Sequence, residues 1–238
     1  MILLDPEARP LVGHRGASGE NPENTLLAFD RALEQGADAL ELDVRVTADG
    51  IPVVIHDATV DRTTSGSGAV GAHTLDRLRS LDAGRGERVP LLSEVLGRYP
   101  ETPLIIEIKE AAAALPTRDV LASARAEARV IVGSFVHAAL RPFSPAAFAR
   151  SARQRETAAF WLAARLRLGV PARSYRAFTV PERHGRLTVV DALFVRAARR
   201  RAIPVHVWTV DEPDDARRLR ALGVAGIITN FPARMRSL

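Results

Sequence analysis

Residues 39–46, ALELDVRV, are the stretch that decides the fold. Glu41 and Asp43 stand two positions apart, so on a β-strand both side chains point to the same face. An exposed edge strand with one polar face is the competing interpretation, but the leucine and valine residues around the carboxylates indicate a strand buried on both faces. Two carboxylates on a buried strand repel each other and lose hydration, so they need a cation or a hydrogen-bond network.

A second stretch, residues 103–110 (PLIIEIKE), repeats the pattern, with Glu107 and Lys109 two positions apart. A barrel would place the ends of both strands at one mouth, where three carboxylates make an oxygen-rich site suited to Mg²⁺ or Ca²⁺. Lys109 would partly neutralise these carboxylates or hold a substrate anion, and a buried ion pair with Glu107 is the structural alternative. Lys109 is the only lysine in the chain. Either the site needs its compact charge or the residue is there by chance, and the sequence favours neither explanation.

Short apolar runs alternate with longer amphipathic stretches along the chain, which is the pattern of repeated β–α units. The predicted strands are Leu11–Gly16, Ala39–Val46, Leu104–Lys109, Val130–Phe135, Ala158–Leu162, Ala177–Val180, Pro204–Val210 and Gly226–Asn230. The predicted helices are Thr25–Gln35, Ser93–Arg98, Arg118–Ala128, Asp191–Arg201 and Asp214–Leu222. Eight strands alternating with helices indicate an α/β fold of the TIM (β/α)₈ barrel type, although an open doubly wound sheet shares the local pattern.

Residues at the helix ends support these assignments. Asn24 and Thr25 are placed to cap the first helix, Gly36 to end it, and Pro213 to open the last one. The length of 238 residues suits one barrel, so residues 1–238 are expected to form a single domain.

One segment interrupts the alternation of strands and helices. Ile51–Asp57 is predicted to be an extra strand that forms a hairpin with the second strand. The polar loop Thr63–Gly71 follows, within an insertion that spans about residues 57–92. An insertion at this point lies where a barrel carries its functional loops.

Composition excludes several classes of protein. The chain has no cysteine, which rules out disulfides and thiolate metal sites and fits a reducing, cytoplasmic setting. No apolar run reaches the roughly 18 residues of a membrane span, and the first ten residues lack a signal-peptide pattern, so no stable membrane anchor is expected. The net charge is +5, and residues 199–201 are three arginines. Without interleaved aromatic residues these favour a solvated helix surface over nucleic-acid binding, and the charge suits an anionic small-molecule substrate. The sequence leaves the oligomeric state open.

Two histidines end predicted strands. His14 closes LVGHRG and His56 closes PVVIHD, and a histidine pair beside three carboxylates is better explained as a general acid and base than as two structural residues. Arg15 is placed to bind two phosphate oxygens. Trp208, in VHVWTV, is either a core residue or an apolar wall at the mouth, and His206 is expected to be structural.

Four segments, in order, resemble the glycerophosphodiester phosphodiesterase family. They are HRGASGENPENTLLAF, ELDVRVTADGIPVVIHDATVDRTT, LIIEIK and VHVWTVDEPDDARRLRALGVAGIITNFP, which begin at residues 14, 41, 104 and 205. The resemblance covers nearly the whole chain and is weakest between Val136 and Arg176.

The resemblance implies a TIM barrel with a small insertion after the second strand. It also implies one divalent cation, Mg²⁺ or Ca²⁺, and release of glycerol 3-phosphate and an alcohol from a glycerophosphodiester. The implied roles are metal binding by Glu41, Asp43 and Glu107, acid–base catalysis by His14 and His56, and phosphate binding by Arg15 and Lys109. His14 is favoured as the first base and His56 as the acid, although the sequence alone does not order them.

Three positions depart from the family pattern. Ala225 and Asn230 replace residues that are usually acidic, and we interpret both as loop and strand-end support rather than as chemistry. Asp211 stands where asparagine is frequent and could alter the fit of a substrate. The short insertion leaves the departing alcohol poorly covered.

Two other functions remain open at this stage. A lysophospholipase D-type enzyme would cleave a lipid-tailed version of the same diester, and an apolar insertion would favour it. Thr63–Gly71 is polar and therefore favours a soluble substrate. A catalytically inactive barrel that binds phosphodiesters is the second alternative, against which the complete set of candidate residues argues.

Overall fold

A computed structural model describes residues 1–144, 146–166, 168 and 174–236. Within these residues, eight parallel strands follow one another around a curved sheet. They are β1 (Leu11–His14), β2 (Ala39–Val46), β4 (Leu104–Ile108), β5 (Val130–Gly133), β6 (Ala149–Arg150), β7 (Phe178–Pro181), β10 (Val205–Trp208) and β11 (Gly226–Thr229). Their order around the sheet is β6-β5-β4-β2-β1-β11-β10-β7. Three short strands, β3 (Pro52–Val54), β8 (Arg183–His184) and β9 (Leu187–Thr188), lie off this sheet order.

The sheet closes on itself beyond β6. Ser151 forms a parallel bridge with Ala177, the residue before β7. The Ala152 N–H also donates to the Ala177 carbonyl at 2.9 Å. The predicted TIM barrel is therefore confirmed.

Helices lie between the strands in sequence. They are α1 (Leu26–Glu34), α2 (Leu75–Arg79), α3 (Leu92–Arg98), α4 (Ala114–Ser123), α5 (Gln154–Leu166), α6 (Ala192–Arg199) and α7 (Pro213–Leu222). Thr25 caps α1 by accepting from the Ala28 N–H at 3.2 Å, and Gly36, at φ +91°, follows its end. Asn24 does not cap this helix, contrary to expectation, because its amide instead donates to Asp43 Oδ2 at 3.0 Å.

The two faces of the barrel wall have different partners. On β2, the leucines at 40 and 42 and Val44 pack into the apolar layer between sheet and helices. Ala39 belongs instead to the barrel interior, together with residues such as Val12, Ile105 and Ile228. Because side chains alternate along a strand, Glu41 and Asp43 share the interior face with Ala39. His206 is fully buried and its Nε2 donates to the Leu3 carbonyl at 2.8 Å, in keeping with a structural role.

The central part of the chain departs from the predicted elements. Ala158–Leu162 is not a strand but part of helix α5, and the fifth barrel strand is the two-residue β6. A five-residue apolar run cannot distinguish a strand from a helix, and its two alanines favour a helix. The helix expected at Arg118–Ala128 spans Ala114–Ser123 instead.

The insertion forms a small apolar layer of its own. As predicted, β3 pairs antiparallel with β2, with Val54 opposite Val44, although β3 is shorter than Ile51–Asp57. Buried side chains from β3, the loop and α2 then pack together, including Val53, Ile55, Val60, Val70 and Leu78. The insertion is thereby held against the barrel mouth beside His56. None of the helices in the described residues is both long enough and apolar enough to cross a bilayer.

Candidate active site

Strand register brings the three candidate carboxylates together, from the middle of β2 and the carboxyl end of β4, beside the carboxyl end of β1. Asp43 lies opposite Glu107, and His14, at the end of β1, lies opposite Glu41. One oxygen from each of the three carboxylates lies within 4.8 Å of the other two. Glu41 and Asp43 are buried and Glu107 is half-buried. The expected convergence of these residues is therefore present.

Two cationic side chains neutralise part of this cluster. Lys109 Nζ lies 2.6 Å from Glu107 Oε1 and 3.3 Å from Asp43 Oδ1. Arg15 Nε lies 3.1 Å from Asp43 Oδ2, and the Arg15 backbone N–H donates to Glu41 Oε2 at 3.1 Å. Burial, then repulsion from Asp43 and Glu107, raises the pKa of Glu41 well above its ordinary value. With all three carboxylates ionised, their negative charge would exceed that of the two cations, and hard oxygen donors of this kind fit a divalent cation.

His14 is oriented by a residue near the end of the chain. Its Nδ1 lies 2.7 Å from Asn230 Oδ1, and its Nε2 lies 3.8 Å from Glu41 Oε2. The Asn230 amide donates to Asp211 Oδ2 at 2.8 Å, so Asn230 Oδ1 is left to accept the proton of His14 Nδ1. This arrangement leaves Nε2 as the unprotonated nitrogen of the neutral ring. Burial and the neighbouring Arg15 lower the pKa of His14, which favours that neutral form.

His56 is oriented from the insertion. Its Nδ1 lies 2.6 Å from Asp57 Oδ1, and Arg62 Nε donates to the other oxygen of Asp57 at 2.6 Å. Hydrogen bonding from Arg62 holds the pKa of Asp57 well below its usual range. Arg62 also binds Glu23, which accepts from Arg15 Nη1 at 3.0 Å. A continuous chain of charged side chains thus connects the surroundings of the two histidines.

A cavity of about 140 Å³ joins these groups. Its lining includes His14, Arg15, Glu41, His56, Glu107 and Lys109. Trp208 also lines it, half-buried, with its ring 6.2 Å from that of Phe135 in an edge-to-face arrangement. Of the candidate residues, Asp43 lies outside the lining, since it is 1% exposed and held behind the surface by Arg15 and Lys109.

Sequence reasoning missed three residues of this site. Asn230 contacts His14 directly, in addition to the hydrogen bonds with Asp211 that support the strand end. Its position just after β11 and the matching departure at Asp211 were the available signals. Asp57 contacts His56 and adjoins it in the sequence, while Phe135 lies beyond the end of β5 with 64% of its surface exposed. The predicted strand included Phe135, so the sequence did not show that this side chain lies beyond the strand, exposed at the barrel mouth.

The fold and site together define a class, the TIM-barrel enzymes, whose active sites lie at the carboxyl ends of the strands. The family model for glycerophosphoryl diester phosphodiesterases matches residues 14–234. A glycerophosphodiester phosphodiesterase of Caldanaerobacter subterraneus is 35% identical, over 96% of this chain and 96% of that relative. This chain therefore belongs to the glycerophosphoryl diester phosphodiesterase family, as its motifs predicted.

Solved structures agree with that assignment. A glycerophosphodiester phosphodiesterase from Agrobacterium tumefaciens superposes with a TM-score of 0.77 at 27% identity, covering 97% of this chain and all of that one. A phosphodiesterase from Oleispira antarctica, in complex with the product sn-glycerol-3-phosphate, superposes with a TM-score of 0.76 at 25% identity. In that match 97% of this chain and 96% of the other are covered.

Proposed function

We propose that this chain hydrolyses glycerophosphodiesters to glycerol 3-phosphate and an alcohol. The observation that carries the proposal is the single cavity in which two oriented histidines, two cationic side chains and a carboxylate cluster meet. The product bound to the Oleispira antarctica relative supports the choice of glycerol 3-phosphate. The family match over residues 14–234 supports one domain with an insertion at about residues 57–92.

Glu41, Asp43 and Glu107 are the proposed ligands of one divalent cation, Mg²⁺ or Ca²⁺. A bound cation would supply positive charge against the phosphate and make a coordinated hydroxyl more acidic. Arg15 and Lys109 stand beside the cluster and would bind phosphate oxygens from the protein side. Trp208 would contact the carbon skeleton of the substrate.

His14 is the proposed base of the first step. Its Nδ1 proton is directed at Asn230, so Nε2 is free to accept a proton from the glycerol hydroxyl next to the phosphate. The oxygen of that hydroxyl then forms a bond to phosphorus while the bond from phosphorus to the departing alcohol breaks. The product of this step is a cyclic phosphate.

His56 is the proposed acid. Asp57 holds the Nδ1 side of the ring, so Nε2 is the nitrogen that can give a proton to the departing alcohol. In the second step the roles reverse. His56 takes a proton from water, the water oxygen opens the cyclic phosphate, and His14 returns its proton to the glycerol oxygen.

A substrate panel tests this function. The protein would be assayed with glycerophosphocholine, glycerophosphoethanolamine and glycerophosphoglycerol in Mg²⁺, in Ca²⁺ and with a chelator, and sn-glycerol 3-phosphate would be measured. We expect turnover in the presence of metal and none in the presence of the chelator. Glu41→Gln should lose both turnover and metal binding, the latter measured by calorimetry. Glu34→Gln is the matched control, because Glu34 pairs with Arg31 on the exposed surface of α1. Turnover that survives both the chelator and Glu41→Gln would exclude the proposed site, and inactivity on the whole panel would favour an inactive barrel.

A further inference from the structure

A cavity lined by four arginines lies at the opposite end of the barrel from the proposed active site. Its volume is about 460 Å³, and its lining consists of Arg9, Arg199, Arg217, Arg220, Ala221 and Gly223. Arg9 comes just before β1 and Gly223 just before β11, whereas His14 is the last residue of β1. This cavity, here called the arginine pocket, is therefore at the amino ends of the strands, while the active site is at their carboxyl ends.

Three segments of the chain build the arginine pocket. They are the segment before β1, the end of α6, and α7 with the residues that follow it. Arg199, the last residue of α6, crosses to α7, because a Cβ added to Gly223 would lie only 2.9 Å from Arg199 Nη1. Arg220, on α7, crosses to the first segment, where its guanidinium donates to the carbonyls of Arg9 at 2.9 Å and Pro10 at 3.1 Å. Both side chains therefore contact segments other than their own helix.

Two of the four arginines have carboxylate partners, but these partners are exposed. Arg199 Nη2 lies 2.6 Å from Glu7, and Arg217 pairs with Asp214, one turn earlier on α7. The two carboxylate side chains are 69% and 94% exposed. Exposed ion pairs of this kind contribute little to stability, so an incoming anion could share or replace them.

The other two arginines have no such partner. No carboxylate of the described residues lies within 4 Å of Arg9 or Arg220. Burial, then repulsion from Arg9, lowers the pKa of Arg220 to about 10, and Asp38 opposes this shift only in part. Arg220 still carries its charge at neutral pH, so an anion placed in the arginine pocket would offset the repulsion between these cations.

Stabilisation of helix ends is the structural alternative. Arg199 and Arg220 lie in the last turns of α6 and α7, where cations interact favourably with the helix dipole. That explanation does not extend to Arg9, which lies on no helix, or to Arg217, in the middle of α7. The end of α7 is also capped by the backbone, because the Gly223 N–H donates to the Arg220 carbonyl at 2.9 Å. The meeting of all four arginines on one concave surface therefore needs a further explanation.

The lining defines the chemistry of a ligand. It offers guanidinium N–H donors and no carboxylate, which favours an anion with several oxygens. A guanidinium binds two oxygens of a phosphate through parallel hydrogen bonds, and several guanidinium groups suit an anion that carries more than one negative charge. Ala221 and Gly223 offer little surface that could distinguish a sugar or a base. The volume is within the range of small-molecule sites.

We propose that the arginine pocket binds a small phosphate-bearing anion, such as inorganic phosphate, diphosphate or a phosphomonoester, at a site separate from the active site. Arg9, Arg199 and Arg217 would bind its oxygens, while Arg220 would add positive charge from the side of the carbonyls that hold it. Of the three arginines at residues 199–201, only Arg199 lines the pocket. The site does not depend on the proposed function, because no residue of the active-site cavity takes part.

Solution NMR would locate the binding. Backbone amide spectra of the full chain would be recorded during titration with inorganic phosphate, diphosphate and sn-glycerol 3-phosphate, with the ionic strength held constant by potassium chloride. The Gly223 amide reports on the arginine pocket, and the Gly133 amide reports on the active-site cavity. We expect the Gly223 signal to shift and saturate with phosphate, and to saturate at a lower concentration with the more highly charged diphosphate.

Charge variants test which arginines form the site. Arg9→Gln and Arg199→Gln should each weaken anion binding at Gly223 by roughly 10- to 100-fold, because each removes a charged hydrogen-bond donor. Arg200→Gln is the matched control, since it removes the same charge from the next residue, which is exposed and outside the lining. Its Kd should stay within about twofold of the wild type, because salt screens an exposed charge. The same spectra show whether each variant is folded.

Several results would overturn the proposal. One is a Gly223 signal that stays in place or shifts without saturating. Another is equal weakening by Arg199→Gln and Arg200→Gln, which would indicate a general effect of charge. A third is binding of phosphatidylglycerol vesicles or single-stranded DNA without binding of the small anions, which would indicate a basic surface rather than a pocket.

The three anions also distinguish the sources of the phosphate group. Tighter binding of sn-glycerol 3-phosphate than of inorganic phosphate at Gly223 would support a phosphomonoester as the ligand, and the reverse order would support free phosphate. A shift of the Gly133 signal alone would place all binding in the active site and overturn the proposal. In each case the substrate panel tests the proposed function independently, because that function requires only the other end of the barrel.

Discussion

The two sides of the barrel mouth are built from different chemistry. The charged rim, formed by β2, the ends of β1 and β4 and the insertion, holds His14, Arg15, Glu41, His56 and Glu107 in a network of ion pairs and hydrogen bonds. The apolar rim, formed by the segment after β5 and by β7, β10, α5 and the β8–β9 hairpin, has aromatic and aliphatic side chains around a second cavity of about 240 Å³. Hydrogen bonds and ion pairs are directional, so the charged rim is suited to orienting reacting groups. Apolar packing is not directional, so the apolar rim is suited to selecting substrates by shape. Substitutions on the charged rim should therefore change kcat, and those on the apolar rim should change the range of substrates.

The same contrast applies to two cationic side chains that form ion pairs with carboxylates. Lys109, at the mouth, contacts Glu107 and Asp43 and lines the cavity. Arg150, in β6, is 5% exposed and forms a two-point ion pair with Glu156 of α5. Arg150 does not line the active-site cavity. We therefore interpret Lys109 and its carboxylate partners as part of the reaction, and the Arg150–Glu156 pair as part of the barrel wall.

The largest effect is expected from the histidines of the charged rim. His14→Ala and His56→Ala should each lower kcat by roughly 10²–10⁴-fold with the fold intact, since each removes a proton-transfer group. A nitrophenyl ester of glycerol phosphate needs little protonation of its leaving group, so it should rescue His56→Ala and not His14→Ala. Stopped-time assays with both substrates would measure this, and circular dichroism would check the fold. Full activity of either variant would contradict the division between the two rims.

The next effect concerns Arg150 and should appear in stability rather than in catalysis. Arg150→Ala should lower the free energy of unfolding by about 3 kcal/mol, because it breaks a buried ion pair. This is at the lower end of the usual range for such a change, since Glu156 keeps its bond to Arg153. Urea titration measures this change, and kcat of the folded variant should stay near the wild-type value. Arg155→Ala, an exposed position on the same helix, is the control. A large loss of kcat with unchanged stability would contradict the assignment of this pair to the wall.

The Arg150–Glu156 pair should also shape acid unfolding. Burial alone would raise the pKa of Glu156, but hydrogen bonds from Arg150 and Arg153 lower it from 4.5 to about 2. The stabilisation is therefore complete above pH 4.5 and is lost as the pH falls towards 2. Urea titrations between pH 6 and 2 should show a smaller decline for Glu156→Gln than for the wild type. Parallel declines would show that this carboxylate does not contribute to acid sensitivity.

A smaller effect is expected at the pair behind His14. Asn230→Asp would place two carboxylates within hydrogen-bonding distance, because Asn230 Nδ2 now lies 2.8 Å from Asp211 Oδ2. We expect a loss of roughly 10- to 30-fold in kcat with little change in KM, as His14 loses its orientation. The double variant Asp211→Asn/Asn230→Asp restores one amide and one carboxylate and should recover most of this loss. Additive losses in the double variant would mean that the pair does not act on His14 as a unit.

The charged rim could be predicted from the sequence because its signals are local. Carboxylates inside apolar strands, as at Glu41 and Glu107, are rare enough to indicate a site, and parallel strands bring their carboxyl ends together. The apolar rim lacks such signals. Strand β6 has two residues, one of which is Arg150, so it shows no apolar run at all. Its identity depends on partners in β5 and next to β7 that only the folded barrel supplies.

Contacts between distant positions account for the rest of what sequence reasoning missed. Asn230 meets His14 across 216 positions of the chain. The closure of the barrel, which brings β11 beside β1, makes this contact, and neither segment reveals it alone. The apolar cavity beside the mouth likewise forms only when the β8–β9 hairpin packs against α5, the helix that contains the predicted strand Ala158–Leu162.

The smallest expected effect is at Lys109, where the two interpretations of the only lysine separate. If the ammonium serves merely as a buried positive charge, Lys109→Arg should be nearly neutral in a chain that uses arginine everywhere else. The geometry argues otherwise, because Nζ lies 2.6 Å from Glu107 and 3.3 Å from Asp43 at once and also borders the cavity. A guanidinium is larger and planar, so at the position of this compact ammonium it should displace one of the two carboxylate oxygens or the phosphate. Since the charge is retained, KM for glycerophosphocholine should change little, while kcat should fall roughly tenfold, or about 1.4 kcal/mol. Wild-type kcat in Lys109→Arg would assign this lysine, like Arg150, to the structure of the barrel rather than to its reaction.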